Sequence, residues 1–300
     1  MTRSLPFPRL PLLALFAALA ATLSGPLAAE GRTVRVAGSD LLPTALYESL
    51  AELADRRGDE MRWTRPGTLP AFRQLEAGEA DLVLVALPER SPGDFSYPVL
   101  PLAHGIGVLA VHRDNPLAAL GAPEVDALFT AAPGSFPSRW SALGVTAEPW
   151  ASRPVTVAYA DPPDRPVAGL LRARFLRGQP IRSGITAFPS SAATEEFLRD
   201  NEGALGLLGR VPDSPELKAV GLAGPDGGPA FGPSPANVNF GDYPLSLLFA
   251  VAVPRTEFRA LAPYLARLFS AEAADLLEEA GLVPLLPTLR EEQILSLPSP

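Results

Sequence analysis

Strand-like and helix-like segments alternate along most of this sequence, and that alternation predicts an α/β fold on a mainly parallel sheet. Two further observations divide it into two lobes. The strongly apolar segment Gly105 to Val111 ends abruptly in His112-Arg113-Asp114-Asn115-Pro116, and the stretch Gly221 to Pro235 is rich in Gly and Pro before an apolar strand resumes at Leu245. One lobe is expected from residues 30–112 together with 236–300, and the other from 113–235, joined by two crossings near His112 to Asn115 and Asn237 to Tyr243. A chain of 300 residues suits two modest lobes.

Thr33 to Ala37 alternates apolar and polar residues as a short strand does, and Gly38-Ser39-Asp40 gives a tight turn before the apolar-periodic stretch Leu42 to Ala54. Ser39 and Asp40 stand where helix N-cap residues belong, and Pro43 suits a first helical turn, whose amide protons lack intrahelical partners. The plan repeats with Met61 to Thr64 as strand, Gly67-Thr68 as turn and cap, Pro70 to Ala77 as helix and Asp81 to Leu87 as buried strand. In the middle of the chain Val155 to Ala160 and Ala204 to Leu208 read as strands, Val167 to Arg177 and Ala192 to Asn201 as helices. Leu245 to Val253 is again a buried strand. Two amphipathic helices, Thr256 to Phe269 and Ala271 to Ala280, precede a Pro-containing tail after Gly281.

Composition removes several function classes. Acidic side chains outnumber basic ones 33 to 25, and no Lys/Arg cluster exists to neutralise phosphate backbones, so no nucleic-acid partner is expected. With no cysteine there are no disulfides, thiol nucleophiles or cysteine metal centres, and two histidines, His104 and His112, cannot furnish a multi-histidine metal site. No Gly-x-Ser-x-Gly elbow, phosphate-cradling Gly-x-x-x-x-Gly-Lys, His-Glu-x-x-His or dinucleotide Gly-x-Gly-x-x-Gly is present, and no carboxylate pair is singled out for acid/base work. A binding protein without a cofactor is expected rather than an enzyme. Residues 1–29 hold Arg3 and Arg9, the apolar run Leu10 to Leu23 and small residues through Ala29, the three-part plan of a cleaved secretory signal. Its apolar core is short for a membrane span, and without a cysteine no lipid anchor follows it.

The chain resembles the phosphate-type periplasmic solute-binding proteins of ABC importers, which have the type II periplasmic-binding fold. The resemblance is carried by Val36-Ala37-Gly38-Ser39-Asp40, Leu75-Glu76-Ala77-Gly78-Glu79-Ala80-Asp81-Leu82, Val111-His112-Arg113-Asp114-Asn115-Pro116-Leu117, Arg139-Trp140-Ser141-Ala142-Leu143-Gly144, Ser190-Ser191-Ala192-Ala193, Gly203-Ala204-Leu205-Gly206, Tyr243-Pro244-Leu245 and Glu279-Ala280-Gly281-Leu282-Val283-Pro284-Leu285, in that order. It implies a two-lobed α/β protein with an oxyanion held between the lobes by helix N-termini and small hydroxyl residues. Ser39, Asp40 and Leu41 match the family's first binding turn, and Thr68 the second. Ser190 and Ser191 open a second-lobe helix either as caps or as anion contacts.

Two positions depart from the family pattern. Val85-Ala86 stands where members that select phosphate place Ser-Asp, and Tyr159 to Val167 lacks the Arg and Ser-Gly-Thr cage of the second lobe. Arg165 offers a forked cationic donor in its place. The resemblance therefore implies a monomeric periplasmic receptor that captures a small oxyanion, phosphate first, and presents it to an inner-membrane ABC permease. The departures leave open an envelope sensory or scaffold protein on the same fold with altered or lost ligand binding.

Overall fold

The computed structural model describes residues 31–87, 97–130, 136–162 and 167–297. The segment expected as a signal lies outside these residues. Among the described residues no helix is long and apolar enough to cross a membrane.

Two sheets organise the chain. The opening run is β1 (Thr33–Gly38), α1 (Thr44–Arg57), β2 (Glu60–Thr64), α2 (Thr68–Glu76), β3 (Leu82–Leu87) and β4 (Val99–Ile106). The middle run is β5 (Val108–His112), β6 (Ala119–Leu120), α3 (Ala122–Thr130), β7 (Thr156–Ala160), α4 (Val167–Arg174), β8 (Thr186–Phe188), α5 (Ser191–Asp200), β9 (Ala204–Leu208), β10 (Leu217–Ala219), β11 (Gly221–Leu222) and α6 (Pro235–Phe240). The chain ends with β12 (Ser246–Ala252), α7 (Phe258–Leu268), α8 (Ala271–Glu279), β13 (Val283–Pro284) and α9 (Pro287–Ser296). The first sheet has the order β13-β4-β12-β3-β1-β2, the second β10-β5-β9-β7-β8, and β6 and β11 pair separately.

The alternating pattern of β3 explains how the first sheet is covered. Leu82 and Leu84 face a core shared with Leu46 and Leu50 of α1, Leu261 and Leu265 of α7 and Leu277 of α8. Val83, Val85 and Leu87 point to the opposite face, against Ala71 and Leu75 of α2. A third core fills the second lobe around Val111, Phe129, Trp140, Leu171 and Leu205.

Several expectations are corrected. The sheets are mixed rather than mainly parallel: β1 pairs parallel with β2 and β3, and β7 with β8 and β9, whereas β12 runs antiparallel to β3 and β4, and β5 antiparallel to β9 and β10. The apolar run Gly105 to Val111 is two strands, not one, because the chain changes sheet at Gly107. The first crossing thus lies before β5, not at His112 to Asn115, and β5 belongs with the second sheet. The return crossing falls at Tyr243 to Ser246, since Val238, Tyr243 and Leu245 still pack in the second core. The Pro-containing tail holds α9, and α1 begins at Thr44 with Pro43 as an extended residue outside it, so Ser39 and Asp40 are turn residues rather than helix caps.

Candidate functional site

The first expected binding turn follows β1, and its geometry begins with a missing side chain. A Cβ on Gly38 would stand 2.3 Å from the Tyr47 hydroxyl and 2.9 Å from the Leu84 carbonyl oxygen, so only glycine lets the turn close against α1 and β3. Ser39 is buried, and its amide donates to the Leu84 carbonyl at 2.7 Å. Its Oγ accepts the Leu41 amide at 3.2 Å and its carbonyl accepts the Tyr47 hydroxyl at 2.9 Å. Burial holds the Tyr47 phenol far above its ordinary range, so it stays protonated and keeps the hydrogen it donates to Ser39. The ring of Tyr47 stacks on Trp63 with centroids 5.3 Å apart.

The second turn is bound to the first. The Gly67 amide donates to the Gly38 carbonyl at 3.1 Å. Thr68 opens α2, and its hydroxyl accepts the Ala86 amide at 2.9 Å and donates to the Ala86 carbonyl at 3.3 Å. Arg65 ties the two turns together by donating to the Asp40 carbonyl and to Thr44 Oγ1, each at 2.5 Å, with its guanidinium 5.9 Å from the Tyr47 ring centre. The Asp40 side chain is exposed. No local signal reveals Arg65, because residues 40 and 65 meet only through the β1–β2 register.

In the second lobe Ser190 caps α5, its Oγ accepting the Ala193 amide at 3.1 Å. Ser191 Oγ accepts the Gly209 amide at 2.9 Å, joining the start of α5 to the loop after β9. The next residue, Arg210, is committed to the carboxylates of buried Glu195, at 3.0 Å, and Asp213. Arg165 lies outside the described residues. The hydroxyls of Ser39 and Ser191 accept backbone amides and so retain their own O–H for donation, whereas that of Thr68 is used in both directions.

A small cavity of about 50 Å³ lies between the two lobes. The first lobe contributes Leu41, Leu247, Phe249 and Leu282; the second contributes Val167 and Leu170. The cavity therefore touches the Ser39 turn through Leu41, the start of α4 through Val167 and the Ser191 contact through Gly209. Among the described residues no three His, Asp or Glu side chains are grouped to hold a metal ion.

No family model matches the sequence. The chain is 26% identical over 272 residues to the phosphate-binding protein PstS of Pseudomonas aeruginosa PAO1, covering 88% of this chain and 77% of that protein. Its fold is similar to a crystal structure of a possible phosphate binding protein from Planctomyces limnophilus, with a TM-score of 0.65 at 20% identity over 88% of this chain and 96% of the other. It is likewise similar to PstS from Borrelia burgdorferi, with a TM-score of 0.67 at 10% identity over 85% and 99% of the two chains. The architecture is the two-lobed fold of periplasmic binding proteins, and the resemblance drawn from the sequence motifs is borne out.

Proposed function

We propose that this protein is an exported solute receptor that captures a small oxyanion, phosphate by its relatives, between its lobes and delivers it to an ABC permease. The observation that carries the reading is the fusion of two small-residue turns, Gly38-Ser39 and Gly67-Thr68, through the Gly67 amide and Arg65, with Leu41 of the first turn and Gly209, held by Ser191 at the start of α5, lining one small cavity between the lobes. Hydroxyl donors and helix starts are the groups that hold an oxyanion without needing net positive charge. In this reading residues 1–29 are removed on export, the mature chain works as a periplasmic monomer, and no covalent chemistry is involved. The ligand touches both lobes and so binds the closed form better than the open one, which is what drives closure. Ser39, Asp40, Leu41, Thr68, Ser190, Ser191 and Arg165 are the proposed contacts, with Thr68 and Ser190 acting mainly by shaping the turns that carry them.

The test is thermal unfolding of the ligand-stripped protein with phosphate, sulfate, molybdate and small carboxylates at matched ionic strength. A ligand at a hundredfold its Kd adds about 2.7 kcal/mol, a shift of roughly 5–10 °C for a chain of this size. Ser39→Ala and Ser191→Ala should each reduce that shift. One observation favours a second reading, an envelope sensory or scaffold role: Val85-Ala86 supplies no side-chain acceptor, and the Ala86 backbone is taken up by Thr68. Absence of any shift across the panel would move that reading to first place.

A further inference from the structure

We infer that the oxyanion taken by this cleft carries one short apolar substituent, as an alkylphosphonate does. The inference rests on the oxyanion reading above and names the substrate class of that same site.

The cavity of about 50 Å³ is far smaller than the ~300–1,000 Å³ that houses a whole small organic ligand, so it suits one short substituent and not a second molecule. Among the described residues none that lines it has a polar side chain, and Gly105, Ile106 and Gly209 join the six already named. Gly105 keeps the space open, since a Cβ there would stand 3.3 Å from Phe249 and 3.8 Å from Leu282, two of the cavity's own walls. Ile106, Val167, Phe249 and Leu282 are buried, so this hydrocarbon surface is part of the interior between the lobes and not a patch of outer surface.

The cavity adjoins the anion-binding turns themselves. Leu41 closes the Ser39 turn with its amide and lines the cavity with its side chain. Gly209 is held by Ser191 and lines the opposite side. An anion seated on these two serines therefore has donors on some of its oxygens and hydrocarbon beyond the others. For inorganic phosphate, burying an oxygen against that wall removes water without replacing its hydrogen bonds, which is unfavourable. Replacing that oxygen by an alkyl carbon removes the penalty and adds apolar burial. The cationic groups near the turns point the same way, because Arg65 and Arg210 are already committed to Asp40 and Thr44, and to Glu195 and Asp213. The described residues thus offer donors for part of a tetrahedral anion and an apolar slot for the rest.

Isothermal titration of the secreted protein with phosphate and with methyl-, ethyl-, propyl- and butylphosphonate tests this. Affinity should rise roughly three- to fourfold per methylene group until the cavity is full, with the best phosphonate binding more tightly than phosphate. In Leu170→Trp, which fills the cavity, the ratio of propylphosphonate to phosphate affinity should fall at least tenfold. Should that variant not fold, Leu170→Ala, which enlarges the space, should move the optimum to a longer chain. Tight phosphate binding with phosphonates weakening as the chain grows would overturn the inference and leave the oxyanion reading standing. No binding of phosphate or of any phosphonate would overturn both.

Discussion

Asp81 is a buried carboxylate at the entry to β3, and Arg35 of β1 reaches it three times: by its backbone amide and its Nε, at 2.7 and 3.2 Å from Oδ2, and by an Nη at 2.7 Å from Oδ1. Arg35 also donates to the Gly78 carbonyl, so one arginine fastens the α2–β3 turn to β1. Burial alone raises the carboxyl pKa, but the hydrogen bonds and charge of Arg35, with Arg32 adding, outweigh it and hold the group below its ordinary range. A depressed folded-state pKa gives stability that is complete above the unfolded value, near 3.9, and lost as pH falls through the folded one. Asp81→Asn should therefore cost about 2 kcal/mol at pH 7 and should show a shallower fall of Tm than the parent chain below about pH 4, both read from melting curves across pH. This residue sits in one of the motifs that carried the family resemblance, yet its partner was not legible. Position 35 meets 81 only because β1 and β3 lie side by side, and the same holds for Arg65 at the Ser39 turn.

The elements were legible where a local period or a punctuating residue marks them. β1, β3, β9 and β12 were expected to within a residue or two, because each is an apolar or alternating run bounded by turn residues. The start of α1 was placed too early, since a Gly-Ser-Asp turn followed by an apolar run reads as a cap although the first helical residue is Thr44. The first part of β4 was missed because Pro101 interrupts it; the strand is completed by pairing with β12 across a shift in register between Phe249 and Ala250. What anchors the β1–α1 turn is close approach, and Gly38→Ala tests it directly. With Tyr47 Oη 2.3 Å and the Leu84 carbonyl 2.9 Å from the new methyl group, the substitution should destabilise the fold by about 1–3 kcal/mol in denaturant titration. It should weaken ligand binding as well, because Ser39 moves with the backbone.

At the scale of the molecule, the two lobes are joined by two crossings that run side by side. The Gly107 amide donates to the Leu245 carbonyl at 3.0 Å, and the buried Tyr243 hydroxyl donates to the Gly107 carbonyl at 2.7 Å, which fixes one crossing to the other. Arg174 of α4 reaches the Ser246 carbonyl at 3.1 Å, a further tie between the second lobe and β12. Tyr243→Phe deprives a buried carbonyl of this donor and should cost about 1–3 kcal/mol, a fall of several degrees in Tm at ~2–4 °C per kcal/mol, measured by differential scanning calorimetry. The sequence by itself determined the α/β class, the two-lobed architecture and the strands and helices with a clean period, because composition, periodicity and turn chemistry are local properties of the chain. Only the tertiary structure decided that the sheets are mixed, that the crossing falls at Gly107, that Arg65 and Arg210 are already committed, and that a small cavity beside Leu41 and Gly209 is lined, among the described residues, by hydrocarbon. Each of these depends on which distant segments pack together, and contacts between residues far apart in sequence leave no period along the chain from which to read them.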